Sequence, residues 1–213
     1  MTKLELFDMI FTLFILSRFQ GDATMNIFYL HQDPADAAVM HNDKHVVKMI
    51  LETGQMLSAA HRVLDAKQVV VKINKNGNKK LKYEFENEQK ERDVYKAAYI
   101  NHPCTVWCRQ TKANYNWLYN LFVELCKEYN HRYGNTPHKS QVRLTEYIKH
   151  PPVNIPDGPF EQPPQAMPDQ YKDPDSVIAY RNYYIGEKNY GNLPRWTKRN
   201  PPEWFIFANT NDK

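Results

Sequence analysis

Cysteine is scarce in this sequence: Cys104, Cys108 and Cys126 are the only three among 213 residues. An odd, sparse set builds no disulfide framework and fits a reducing, cytoplasmic compartment. Cys104 and Cys108 stand four residues apart, a spacing a metal pair can use, but no CxxC or Cys/His set accompanies them. Buried inert thiols, and no metal or other cofactor, are the expectation. A membrane-spanning run is also missing. Leu4 to Phe19 is apolar but carries Glu5, Asp8 and Arg18 and is too short to cross a bilayer. Its acids, and the lack of a small-residue cleavage site, speak against a signal peptide. No internal repeat is visible. Glycine is rare, seven against fourteen prolines, so Gly54, Gly77 and Gly134 stand out as candidate breaks or turns.

What is present is an ordinary globular composition, 42% hydrophobic and 24% charged, with 13% aromatic residues. The net charge of +4 is unevenly spread. Residues 66–85 hold six Lys against one Glu, and residues 180–204 hold five Lys/Arg against two Glu. The rest of the chain is therefore acidic on balance. Such asymmetry suits a polyanionic partner, nucleic acid before membrane, although two solvated surface segments would look the same.

Along the chain, residues 1–24 read as an N-terminal appendage and residues 25–213 as a single domain. Met25 to Leu30 reads as a first strand, and Met25 as an alternative translation start. Asp33-Pro34 is a cap followed by a first-turn proline, opening a helix to about Leu64 with Gly54 as its weak point. Residues 69–85 alternate around Asn76-Gly77, which predicts a β-hairpin insertion. A polar helix follows over Glu86–Tyr99, then a long one from Pro103 to about Tyr133, buried through Leu118, Leu121, Phe122 and Leu125 and stopped by Gly134. Residues 140–149 form a short helix. Prolines make residues 151–168 an extended loop. Asp173-Pro174 opens a last helix to about Lys188. The fold class expected is mostly α: a compact helical domain with one inserted β-hairpin and a Pro-rich loop.

The densest chemistry lies in the first long helix. On a wheel turning about 100° per residue, His41, His45, Lys48, Glu52 and Gln55 fall within about 80° of one another. Val46, Val47, Met49, Ile50, Leu51, Met56 and Leu57 surround them, the reverse of a surface helix. A charged line on a buried helix faces either a cleft or buried partners. Lys48 and Glu52 are spaced to pair. Glu52 and His45 suit general acid–base work, and Lys48 suits Schiff-base chemistry. A structural ion pair is the alternative. His41, His45 and Glu52 also have metal-ligand spacing, without the HExxH signature. Near the C-terminus Arg181, Lys188, Trp196, Lys198 and Arg199 interleave rings with cations, as base stacking and phosphate contact require, or as a tail packed on the core would. Lys72, Lys75, Lys79 and Lys80 on the hairpin complete the candidate nucleic-acid surface.

Met25 to Leu30, Asp43 to Met49, Asn101 to Cys104 and Tyr180 to Tyr184 resemble a family of small uncharacterised phage-type proteins. The spacing of His45 and Glu52, a long helix ending in Glu128 and Arg132, and the basic aromatic tail around Trp196 are similar to the pyrimidine-dimer DNA glycosylases. That resemblance implies a small helical enzyme cutting an N-glycosidic bond with an N-terminal amine and a helix-borne glutamate, here Glu52, on a flipped-out nucleotide. Three features depart from the pattern. Residues 1–24 precede Met25 and Asn26, Leu51 and Gln55 stand where the family has arginines, and the hairpin and Pro-rich loop are extra. The reading is a DNA-acting, pyrimidine-directed glycosylase-like enzyme. The alternative is a non-catalytic phage accessory factor that binds nucleic acid or protein. Oligomeric state is left open by the sequence.

Overall fold

The computed structural model describes residues 25–73, 79–134, 136–188 and 194–210. The proposed appendage 1–24 and the hairpin turn with Lys75 lie outside these residues. Asp33 starts helix α1 (Pro34–Met40), its carboxylate accepting the N–H groups of Ala35 and Asp36 at 2.8 and 3.2 Å. The helix expected to continue to Leu64 stops here. His41 and Asn42 are extended, and Asn42 accepts the His45 N–H at 3.0 Å to begin α2 (Asp43–Asp65). Asparagine competes for backbone groups inside a helix and favours its cap; the apolar periodicity on either side hid that signal.

Arg62, fully buried near the end of α2, organises the next stretch. Strands β1 (Lys67–Ile73) and β2 (Lys79–Glu84) pair antiparallel, with an irregularity between Val70 and Lys72, and the register sets Lys72 opposite Lys80. The Arg62 guanidinium donates to the carbonyls of Tyr83, Val94 and Tyr95 at 2.7, 2.7 and 2.5 Å and to Glu91 at 2.7 Å. The helix expected over Glu86–Tyr99 is reduced to α3 (Glu88–Asp93), and the Val94 and Tyr95 carbonyls just beyond it accept from Arg62. The next expected helix is also broken. It becomes α4 (Pro103–Cys108) and α5 (Lys112–Tyr133), separated where the Thr111 side chain caps Asn114.

Helix α5 packs on α1 and α2, burying Leu118, Leu121, Phe122 and Leu125 completely. Helix α6 (Lys139–Ile148) lies across α2 at Gly54. A Cβ there would sit 2.8 Å from Leu144 Cδ1, so the glycine permits the close approach while α2 continues unbroken through it. The Pro-rich segment then runs as a strap without regular structure to a 3-10 turn (Asp169–Tyr171). Helix α7 (Ser176–Glu187) is capped by Asp175 rather than Asp173, and the tail ends in α8 (Glu203–Thr210).

Met25–Leu30 is not a strand. The hairpin strands pair only with each other among the described residues. Residues 25–30 are instead threaded through the core, each 4% exposed or less. None of the described helices is long and apolar enough to cross a membrane.

Candidate active site

Glu52 sits at the middle of α2 and is 9% exposed. Each of its carboxylate oxygens faces one nitrogen. Lys48 Nζ, one turn earlier, lies 3.2 Å from Oε1, and the backbone N–H of Asn26 donates to Oε2 at 3.1 Å. Burial pushes the carboxyl above its ordinary range, and Lys48, the Asn26 N–H and Lys188 oppose the shift without cancelling it. The Lys48 side chain keeps about a fifth of its surface in solvent (23%), so the pair is reachable from outside. It is not a sealed ion pair. Two surface hollows, around Asp93 and Arg143 and around Asp65 and Lys90, lie elsewhere.

His45 precedes Glu52 by two turns. Its ring packs on Phe28 with centroids 4.6 Å apart and meets Tyr184 edge-on at 4.9 Å. Burial first, then His41, Lys48, Lys188 and Lys44, hold its pKa well below the usual value, so it is neutral at physiological pH. Its Nδ1 is buried without a partner. His41 is not on the helix that carries Glu52, because the break at Asn42 moves it to the connecting turn. There its Nδ1–H donates to the Ala37 carbonyl at 2.7 Å, and its buried Nε2 has no partner. Burial holds its pKa down to about 4. Gln55, half-buried, lies nearly one turn past Glu52. The stripe predicted on the wheel is thus shortened to His45, Lys48, Glu52 and Gln55. The accessible side of α2 runs through Lys44, Val47, Lys48, Leu51 and Gln55, so the helix is less enclosed than the wheel implied.

The structure adds residues that the wheel could not place. Asn26 reaches Glu52 from the threaded segment, twenty-six positions earlier in the chain. Phe28, with φ 50°, occupies the left-handed region that bulky residues avoid, and it carries the wall against His45. Tyr183 stacks parallel to Phe28 at 5.8 Å, and Lys188 Nζ lies over both rings at 4.9 and 5.9 Å. Cys104, a buried free thiol whose pKa burial lifts to about 12, feels the Glu52 charge. The legible signal was the segment Met25–Leu30 itself, singled out in the sequence but read as a strand.

Of the two readings of the C-terminal rings and cations, Trp196 follows the packed tail. Trp196 is 6% exposed, donates its indole N–H to the Met40 carbonyl at 2.9 Å and packs on Phe205. Its ring is therefore core rather than a stacking platform. An amphipathic indole was equally suited to both fates, and the core offered the larger apolar contact. Arg181 braces the Leu30 carbonyl at 2.9 Å under Trp204. Lys198 donates to the His131 carbonyl at 2.6 Å, and Arg199 pairs with Glu128 at 2.8 Å. Lys72, Lys79 and Lys80 lie on the hairpin strands. His102 caps α4, its Nδ1 accepting the Cys104 N–H at 3.2 Å. Among the described residues, no three His, Cys, Asp or Glu side chains gather as a metal site.

No curated protein and no solved structure matches this chain. A family model does, from Met25, where the threaded segment begins, through Asn26, His45, Lys48 and Glu52 to the first turn of α6. That model, the pyrimidine dimer DNA glycosylase family, covers residues 25–141, more than half of the chain, and the chain belongs to this family.

Proposed function

We propose that this protein excises a base of a pyrimidine dimer from DNA, with Glu52 as its catalytic carboxylate. One observation carries the reading: a buried glutamate, held above its ordinary pKa, grips one nitrogen on each oxygen. Perturbed carboxyls beside amines mark acid–base and covalent sites. An amine nitrogen attacks the sugar C1′, the C1′–N1 bond breaks, and its electron pair goes to the base, which takes up a proton from water and stays joined to its dimer partner. The amine gives up its proton to Glu52, which also steadies the positive charge developing on the sugar. The full-length chain offers Lys48 Nζ as that amine. The nitrogen of residue 26 is an amide there and becomes an amine only in a chain that begins at Asn26, the arrangement the family resemblance implies. His45 and Gln55 flank the carboxylate for contacts to a flipped nucleotide. Lys72, Lys75, Lys79 and Lys80, with Lys188, supply phosphate contacts.

Borohydride trapping on a duplex carrying one pyrimidine dimer tests this reading. A covalent adduct is expected, mapping by peptide mass to Lys48 or to the N-terminal residue, and it is lost in Glu52→Gln. An undamaged duplex gives none. Absence of adduct and of any glycosidic-bond cleavage in the dimer-bearing duplex would return the chain to the accessory-factor reading.

A further inference from the structure

We propose that the Pro-rich strap is part of the active site: through the Ala166 carbonyl it fixes Asn26, and Asn26 in turn positions the carboxylate of Glu52. The proposal rests on the reading of Glu52 as catalytic. The strap lies beyond the residues the family model covers.

Asn26 is 2% exposed, and every polar group of its side chain is engaged around one point. Its Oδ1 accepts the N–H of Ile27 at 2.7 Å and leans toward that of Phe28 at 3.4 Å. Its Nδ2 donates to the Ala166 carbonyl at 3.0 Å. With both ends of the amide held, the side chain anchors residue 26 between Ala166 and the turn at Ile27, and in that position its backbone N–H donates to Glu52 Oε2 at 3.1 Å. The turn is tight enough to leave Phe28 at φ 50°, a conformation that persists only where surrounding contacts impose it.

The strap is itself held firmly. Its prolines lack N–H groups, so it is built to accept. Lys112 N–H donates to the Pro156 carbonyl at 2.9 Å, Trp107 Nε1 to the Glu161 carbonyl at 2.8 Å, Ser176 Oγ to Pro163 at 3.0 Å and Tyr180 OH to Pro164 at 2.7 Å. Donors from α4, α5 and α7 thus fix a line of carbonyls whose last member meets Asn26. A segment serving only to cover the core would have no need to end on the residue that touches Glu52.

Two variants of the full-length chain test this. Tyr180→Phe removes the donor to Pro164, and with it the hydrogen bond to Cys104, and touches neither Asn26 nor Glu52. Asn26→Ser keeps an oxygen for the turn but cannot reach Ala166. Of the other charged and titratable groups near Glu52, Lys48 on its own helix and Lys188 past α7 stay in place in both variants; Cys104 on α4 loses its hydrogen bond with Tyr180 in Tyr180→Phe alone, and Asn26→Ser is the control for that change. In carboxyl-carbon NMR titrations the Glu52 midpoint is expected to rise by roughly half to one unit in both variants, as the hydrogen bond to its charged form weakens. The amide proton of residue 26 should move upfield with it. Trapping on the dimer-bearing duplex should slow by about tenfold or more, with little change in Tm. An unchanged Glu52 midpoint and residue-26 amide shift in both variants would overturn the proposal, whatever happens to Tm. If Tyr180→Phe fails to fold, Asn26→Ser decides alone. If the wild-type protein traps nothing, the catalytic reading of Glu52 fails, and the two resonances still show whether the strap positions Asn26.

Discussion

Glu52 and Glu128 look alike on paper: each lies on a long helix, nearly buried, with a cation four residues away. Their surroundings set them apart. Glu128, 3% exposed, accepts from Arg132 at 2.6 Å and from Arg199 at 2.8 Å, and Arg132 is fixed in turn by Asp43 at 2.9 Å. Burial would raise its pKa, but hydrogen bonds from Arg199 and Arg132 overcome that and hold it below the usual range. Glu52 has one ammonium and one amide N–H, and burial wins. Two guanidiniums in fork geometry complete a carboxylate's hydrogen bonding. A single partly exposed lysine does not. Glu128 is a fastener tying the tail to α5, whereas burial leaves the Glu52 carboxyl above its ordinary range.

The largest expected effect separates them by chemistry. Glu52→Gln should lower base excision by about two to four orders of magnitude while Tm holds. Glu128→Gln should leave excision per folded molecule nearly intact. Single-turnover assays on the dimer-bearing duplex measure both, and equal losses would erase the distinction. The second effect is on stability. Removing the Glu128 charge leaves the fully buried Arg132 guanidinium with Asp43 as its carboxylate partner and its Nε–H without an acceptor, at a cost of roughly 1–3 kcal/mol, readable by urea denaturation. Glu52→Gln should be neutral or stabilising at neutral pH, because the folded site already disfavours its charge. Strong destabilisation of Glu52→Gln, rescued by adding Lys48→Met, would make this pair architecture as well.

The pH dependence sharpens the contrast with opposite signs. Glu128, its pKa lowered on folding, stabilises fully above the ordinary carboxyl range, and that contribution fades as pH falls through it. Glu52, its pKa raised, binds its proton more tightly when folded. It costs stability as pH rises from the ordinary carboxyl range through its folded value. The stability gap between wild type and Glu128→Gln should therefore close on acidification. Any advantage of Glu52→Gln should grow as pH rises. Melts from acid to neutral pH measure both trends.

The smallest expected effect concerns the hairpin. Neutralising Lys72, Lys75, Lys79 and Lys80 should weaken DNA binding and reduce the salt slope by about one unit for each phosphate that the hairpin no longer neutralises. Unchanged affinity and slope would remove the hairpin from the interface. Neutralising Arg199 instead should act on stability rather than on the slope, since its guanidinium is already spent on Glu128.

What the sequence determined by itself was local. Helix periodicity, the Asp33-Pro34 start, the Gly134 stop, the alternation of residues 69–85 and the proline density of 151–168 are short-range signals, and they were enough for a helical fold with one hairpin. The spacing of His45, Lys48 and Glu52 was legible for the same reason, since one helix fixes it. Helix ends at Asn42, Thr111 and Asp175 were missed because a capping side chain competes with periodicity over a single residue. The tertiary structure alone decided which charges were paired and which were poised. Asn26 meets Glu52 across twenty-six positions and Ala166 across one hundred and forty. Arg199 meets Glu128 across seventy-one, and Trp196 meets Met40 across one hundred and fifty-six. Burial and hydrogen-bond partners set a group's charge state, and both come from chain segments whose meeting no local pattern encodes.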